Sequence, residues 1–330
     1  MNSLYLIYFT VILLIYSNIF IYGDEINIEL PSHYQLKKCK HGNFLLNDYD
    51  MDISEHMRLY GEWAENELQL FLSIIKEGDI VIDAGANIGA FTVPLAKKVG
   101  YTGHIHAFEP QKIINQRLNA NIALNGLENV DVYLAALGNE TGSITVPILN
   151  YSIISNFGAL SLAEPLNNNN NQEWSYKVPM LRLDDINFYN PYTGLNCPSF
   201  IKMDVERMEK YVLQGGIQTI KRCLPIIHTE NNSEKSSKGL IEQLYLMDYI
   251  PYWELQPAFN SIFHTKYIDI TNGYINMNMI CIPKYRLKTH GGDITMEGFI
   301  QVLLEKPYLK QYFLIINEDG TISSKLQQHE

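Results

Sequence analysis

The chain has 330 residues, of which 46% are hydrophobic, 12% aromatic and only 18% charged. That length supports one large domain or two small ones with a substantial core. A formal net charge of −11 repels phosphate backbones and speaks against a general nucleic-acid binder. The four cysteines, Cys39, Cys197, Cys223 and Cys281, form no CxxC pair and no metal-ligand spacing, so buried thiols are expected.

The chain opens with Leu4 to Tyr22, 19 residues without a charge. About 20 apolar residues cross a bilayer as a helix. No Lys or Arg precedes the run, and the flank "IYGDE" is a poor cleavage site, which favours an uncleaved single-pass anchor over a cleaved signal. Orientation stays open. Lys37, Lys38 and Lys40 just downstream favour a cytosolic domain by the positive-inside rule, whereas the sequons at Asn139, Asn150 and Asn231 are usable only in a lumenal one.

Residues 24–54 show no clear period and are expected as a linker and N-terminal extension. "EHMRLYGEWAENELQLFLSII" (55–75) carries apolar residues at helical spacing and is predicted as one helix. "DIVIDAGA" then reads as a buried strand, "NIGAFTVPLAKKV" as a helix, "HIHAFE" as a second strand, "QKIINQRLNANIALNG" as a second helix and "VDVYLAAL" as a third strand. The alternation pauses at two short β segments, "GSITVPIL" and "YKVPMLRLDDI", with the polar run Asn167–Gln172 between them. It resumes with "SFIKMD", "VERMEKYVLQGG" and "LPIIHTEN", then the helical "KGLIEQLYLMDYI" and a late strand "YINMNMICIPK". Strands alternating with helices imply a parallel sheet of βαβ units, here one α/β domain over residues 55–285. Residues 1–23 are a separate anchor, and residues 286–330 a tail whose role the pattern does not show.

The informative stretch is "VIDAGANIGAFT" (81–92). Gly85 and Gly89 fall in the turn after the first strand, where an open α/β sheet binds its ligand and where glycine permits close backbone approach. Glu109, at the end of the second strand, is placed to accept both hydroxyls of a ribose. A nicotinamide fingerprint needs a middle glycine for the pyrophosphate, and Asn87 replaces it. Asp83 before the turn suits instead an adenosyl ligand with an α-ammonium group, as in S-adenosylmethionine.

The segments "VIDAGANIGAFT", "HAFEPQ", "NIALNGLENV" and "AALGNETG", followed by "LRLDDI", "IKMDVERMEKYVLQGG", "PIIHTE" and "INMNMICIPK", resemble in order and spacing the FkbM-type S-adenosylmethionine-dependent methyltransferases. The resemblance implies a Rossmann-like class I methyltransferase fold, a mostly parallel doubly wound sheet, here preceded by an N-terminal hydrophobic helix. It also implies that Asp83, Gly85, Ala86, Asn87 and Gly89 cradle the methionine part, that Glu109 takes the ribose, and that Ala135 and Ala136 lie near the adenine. One departure stands out, because the family usually has Gly after Asp-Val-Glu and this chain has Arg207. Arg207 is expected to narrow the pocket or to change what it accepts.

Methyl transfer requires an oriented acceptor and help in losing its proton. Asp204, which interrupts an apolar strand at its ligand-facing end, is the first candidate, with Glu206, Glu230 and His228 as further catalytic candidates. Asp204, Glu230 and Asn231 are hard oxygen donors that would suit Mg²⁺. Glu206 and Glu209 are alternatively first-turn acids favoured by a helix dipole, Asp184–Asp185 a capping pair, and His228 a hydrogen-bonded core histidine. The expected activity is O-methylation of a hydroxyl on a sugar, glycan or small molecule, the sugar by analogy with the family alone. N-methylation, and a non-catalytic protein that keeps the cofactor fold, are the alternatives.

Overall fold

A computed structural model of the chain describes residues 30–163, 174–232, 234–257 and 275–287, with two short strands at Leu314–Ile316 and Ile322–Ser323. The expected anchor at 4–22, the run at 167–172 and most of the tail lie outside the described residues. Among the described residues, no helix is long and apolar enough to cross a membrane.

The centre is the strand β3 (Ile80–Ala84), all five residues of which are buried. Its branched apolar run suits a strand covered on both faces. β4 (His104–Phe108) lies parallel on one side of it and β5 (Val130–Tyr133) parallel beyond that. On the other side β9 (Phe200–Met203) and then β10 (Ile226–Glu230) are also parallel. β12 (Ile275–Pro283) runs antiparallel to β10, and β11 (Tyr249–Pro257) antiparallel to β12. The short strands β13 (Leu314–Ile316) and β14 (Ile322–Ser323) extend that edge, giving the order β14-β13-β11-β12-β10-β9-β3-β4-β5. The fold is the expected Rossmann-like, mostly parallel α/β sheet.

Alternation along β3 divides the core. Val81 joins Phe71, Leu95, Leu118 and Phe200 on one face, while Ile80 and Ile82 join Val212, Ile220 and Leu244 on the other. The helices α1 (Ile53–Tyr60), α2 (Glu65–Ile74), α3 (Thr92–Val99) and α4 (Lys112–Leu124) precede β5; α5 (Glu209–Gly215), α6 (Ile217–Cys223) and α7 (Glu234–Leu246) follow β9.

Five local expectations change. The single helix over 55–75 is two helices, broken where Gly61 turns to φ 75° and donates its N–H to the Met57 carbonyl at 3.0 Å. The presumed linker contains a hairpin, β1 (Tyr34–Cys39) with β2 (Gly42–Asn47). It belongs to the domain, because the Leu45 N–H bonds Asn121 Oδ1 on α4 at 2.6 Å and Phe44 and Leu46 are fully buried. The third strand stops at Tyr133. Ala136–Leu137 is a separate short strand, β6, in a three-stranded sheet with β8 (Ser175–Leu181) and β7 (Gly142–Pro147). The strand β11, whose start was read as helix, takes over at Tyr249. Finally, Cys197 and Cys223 form a disulfide, and only Cys39 and Cys281 are buried thiols.

Candidate active site

The chain winds from β3 towards β5 in one direction and through β9 and β10 in the other, so the strand order reverses between β3 and β9. In such sheets the crevice beyond the strand C-termini at that reversal is the ligand site. A cavity of about 520 Å³ opens there, lined among others by Gly85, Ala86, Asn87, Glu109, Asp204, Glu206 and Glu230. A smaller one of about 50 Å³ shares Gly85, Glu109, Asp204 and Glu206 with it and is walled by Phe108, Ala135, Ala136, Leu137 and Met208.

A buried ion pair forms the base. Register places Asp83 of β3 beside Lys202 of β9, with Lys202 Nζ 3.3 Å from Asp83 Oδ1. Thr92 Oγ1 donates to Asp83 Oδ2 at 2.6 Å, and Lys202 Nζ donates to the Gly85 carbonyl at 2.8 Å. Burial opposes the ammonium charge, yet Asp83, Asp204 and Glu67 outweigh it and hold the Lys202 pKa above its ordinary value. Asp83 is therefore not placed as expected. It is fully buried beneath the turn and lines neither cavity.

The turn explains its glycines. Gly85 adopts φ 77°, and a Cβ there would sit 1.7 Å from the Asp204 carbonyl oxygen, so only glycine lets β3 and β9 close together. Gly89, φ 89°, packs on Leu118 and lines neither cavity, so its role is helix packing rather than contact with a ligand. Asn87 adopts φ 48°, a left-handed conformation that Asn tolerates, and its Oδ1 accepts the Ile88 N–H at 2.7 Å.

Glu109 stands where the two cavities meet. Its Oε2 accepts the Asn87 N–H at 3.0 Å and its Oε1 the Gln111 N–H at 2.8 Å. Each carboxylate oxygen has a second lone-pair site, so two more donors can be received. Burial pushes its pKa up to about 7, against the pull of those two backbone N–H groups. Ala135 and Ala136 are buried against the smaller cavity beside it, and they follow the strand rather than end it.

The carboxylates of Asp204, Glu206 and Glu230 gather on the other side, with oxygens within 4.8 Å of one another. Asp204 keeps 45% of its side chain exposed. Burial and then the neighbouring Asp204 and Glu209 push the Glu206 pKa to about 8; burial and then Asp204 and Glu206 push Glu230 to about 10. Asn231 does not join them. It is buried with its amide directed at Met279 Sδ, 3.3 Å away, because adjacent residues on a strand face opposite ways. Glu209 accepts the Val205 and Arg207 N–H groups of the loop before α5, and Asp184 accepts those of Gln218 and Thr219 at the start of α6, which it caps.

His228 reaches the cavity wall but is held between two carboxylates, Glu254 at 2.6 Å and Glu67 at 3.8 Å. Burial disfavours its charge, and the two acids outweigh that and raise its pKa. Its contacts are those of the hydrogen-bonded core histidine that the sequence offered as the alternative to a general base. The sequence reading also missed Lys202, Glu67, and the cavity residues Asp52, His56 and Trp63 contributed by the N-terminal segment. The Arg207 departure has a structural answer: the residue sits at φ 77°, where glycine is favoured, its side chain is exposed, and it lines neither cavity.

A family model described as the methyltransferase FkbM domain matches residues 83–256, more than half of the chain. The chain belongs to the FkbM methyltransferase family. A solved FkbM methyltransferase from Methylobacillus flagellatus KT is 17% identical, with a TM-score of 0.39 over 62% of this chain and 44% of that one. A SAM-dependent O-methyltransferase from Thermotoga maritima is 14% identical, with a TM-score of 0.40 over 77% and 87% of the two chains. A local similarity of 30% over 92 residues links the chain to the bifunctional protein GlmU of Thermoanaerobacter pseudethanolicus. It spans 28% of this chain and 20% of that one.

Because Lys202 neutralises a buried carboxylate, Lys202→Met should lower stability by about 3–5 kcal/mol in chemical denaturation. Asp83→Ala combined with Lys202→Met should recover most of that loss. A single variant within about 0.5 kcal/mol of the wild type would show that the pair does not hold the turn.

Proposed function

We propose that this FkbM methyltransferase domain binds S-adenosylmethionine and transfers its methyl group to a hydroxyl oxygen, with a sugar or glycan as acceptor. The observation that carries the reading is Glu109, buried and doubly anchored, at the junction of an apolar slot and a carboxylate-rich cavity. Ala135 and Ala136 would flank the adenine, Glu109 would accept from the ribose hydroxyls, and Gly85, Ala86 and Asn87 would hold the methionine part. The sulfonium end then faces Asp204, Glu206 and Glu230. In the transfer the S–CH₃ bond breaks and the O–CH₃ bond forms. The hydroxyl proton passes to a carboxylate, and S-adenosylhomocysteine leaves.

Glu230 holds its own proton to about 10 and cannot take another at neutral pH. Asp204, half-exposed at the mouth, is therefore read as the proton acceptor, with Glu206 and Glu230 as its proton-sharing partners. Three crowded carboxylates are relieved by a shared proton, by the positively charged cofactor, or by a divalent cation such as Mg²⁺. The acidity of the cavity also suits an amine acceptor, which keeps N-methylation as the second reading.

Incubating the full-length protein with methyl-labelled cofactor and separated glycan, lipid, protein and small-molecule fractions should place the label in base-stable ether linkage on a sugar. Label on nitrogen would favour the second reading. Cofactor binding with no label in any fraction would favour a non-catalytic protein.

Glu109→Ala should weaken S-adenosylhomocysteine binding at least tenfold by calorimetry, since hydrogen bonds to a charged group contribute about 1.5–3 kcal/mol each. The ribose hydroxyls bind best to an ionised acceptor, and burial puts the Glu109 pKa at about 7. Wild-type affinity should therefore be flat above about pH 8 and fall towards tenfold per pH unit below 7, with that dependence absent in Glu109→Ala.

Asp204→Asn should bind cofactor nearly normally and lose turnover by about 10² or more. Loss of activity in EDTA, restored by Mg²⁺, would assign the carboxylates to a metal; full activity in EDTA leaves Asp204 as the direct base. Full activity of a folded Asp204→Asn protein would remove both roles.

The localisation we propose is a single-pass anchor at residues 4–22 with the catalytic domain in the secretory lumen. The Cys197–Cys223 disulfide favours an oxidising compartment, and Asn139 and Asn150 are exposed. Lys37 and Lys40 belong to the folded hairpin, bonded to the Arg58 carbonyl and to Glu62 and Glu65, which weakens the opposing charge argument. Expressed in eukaryotic cells, the protein should shift on a gel after treatment with an N-glycosidase. Asn139→Gln and Asn150→Gln should each remove part of the shift, and the buried Asn231 should contribute none. A chain with no shift would lie on the cytosolic side.

A further inference from the structure

We propose that His104, His106 and Asp131 form a zinc-binding site at the end of the sheet opposite the catalytic cavity. The two histidines flank Ile105 on β4, so their side chains share one face of the strand. The parallel neighbour β5 brings Asp131 directly opposite His106. Three donors then converge on one point. His104 Nε2 lies 3.0 Å and His106 Nδ1 3.8 Å from the same oxygen, Asp131 Oδ2, and the two rings stand 4.9 Å apart. All three ligand atoms lie within 4.8 Å of one another.

Those separations are close to what a metal needs. A tetrahedral ion with bonds near 2.05 Å holds its donors about 3.3 Å apart, within a few tenths of an ångström of the two distances to Asp131. His104 Nε2 hydrogen-bonds Asp131 and His106 Nδ1 hydrogen-bonds the Tyr133 hydroxyl at 3.1 Å, and a bound ion would replace both contacts. Two nitrogens and one carboxylate are a donor set that Zn²⁺ accepts, and three protein ligands leave a fourth position for water. Asp131 and His104 keep 57% and 27% of their side chains exposed, which gives the ion a route in.

The inner ligand is fixed by its neighbours. His106 is buried with the Phe188 ring edge-on at 5.1 Å, and its Nδ1 lies 3.1 Å from the Tyr133 hydroxyl. The ion would tie β4 to the edge strand β5. The far end of β4 leads into Glu109, and β5 leads into Ala135 and Ala136. The site is thus a clamp beneath the adenosine-facing wall and takes no part in the transfer itself.

The test uses the full-length chain, purified without a histidine tag, stripped with EDTA and freed of chelator. Titration with Co²⁺, a spectroscopic stand-in for Zn²⁺, should give visible d–d absorption saturating at one equivalent, abolished by one equivalent of Zn²⁺. His104→Gln and Asp131→Asn, both at partly exposed positions, should keep the native circular dichroism and weaken binding at least tenfold. Glu230→Gln, which alters the acidic cluster at the other end of the sheet, should leave the spectrum unchanged. The absence of a d–d band in the wild type would overturn the site. So would Co²⁺ bound equally well by folded His104→Gln and Asp131→Asn, or a band lost in Glu230→Gln and retained in those two variants.

Discussion

The geometry of the catalytic end of the sheet depends on the Asp83–Lys202 ion pair. Two charges removed from water must be paired and hydrogen-bonded or they destabilise the fold. Here they are, and the pairing fixes three things together. It locks β3 to β9 in register at the point where the strand order reverses. It aims an ammonium at the Gly85 carbonyl and so holds the turn against the cavity floor. It also places Asp204 two residues further on the same face as Lys202, with the ammonium 3.8 Å from the Asp204 carboxylate. The turn can close this tightly only because Gly85 has no Cβ. A buried charge pair and a missing side chain thus act as one device.

A second buried network lies beside it. Glu67 from α2, His228 from β10 and Glu254 from β11 form an acid–imidazole–acid row, and Asn278 of β12 donates to Glu67 at 3.0 Å. Burial raises the Glu67 pKa to about 7, against the attraction of His228. Lys202 contributes a further positive charge nearby. Two basic side chains, Lys202 and His228, thus sit among the acids Asp83, Glu67 and Glu254 at the base of the cavity, with Asp204, Glu206 and Glu230 above them.

The parts of this arrangement that were legible in sequence are those written in short spacings. The glycine turn, Glu109 and Asp204 each sit at a strand end, and the alternation of strands and helices located those ends. Strand parity was available for more than it was used. Lys202 and Asp204 share a face of β9, so a lysine in an apolar strand two residues before a site acid was itself a signal. The same parity excludes Asn231 from a cluster containing Glu230. Other features had no local signature. Glu67 and His228 are far apart in the chain and meet only through folding, and four scattered cysteines do not reveal which two pair. The β1–β2 hairpin escaped because its strands lack clean alternation; its burial comes from docking on α4. The split of the first helix at Gly61 was masked by apolar spacing that continues across the break.

The loop after β9 shows where stability has been yielded to the site. Glu206 and Arg207 both adopt positive φ, at 52° and 77°, and neither is glycine. Left-handed backbone is unfavourable by roughly 1–2 kcal/mol for such residues, so something must hold the loop there. Glu209 does so from the first turn of α5, its buried carboxylate accepting the N–H groups of Val205 and Arg207. Those bonds also explain why a residue other than glycine is tolerated at position 207: the conformation is imposed by the hydrogen bonds rather than chosen by the residue. The strained turn delivers the Glu206 carboxylate to Asp204 and Glu230 while sending the Arg207 side chain to solvent. Arg207 therefore stays out of the cavity lining, which is built instead from the carboxylates Asp204, Glu206 and Glu230 and from the N-terminal residues Asp52, His56 and Trp63.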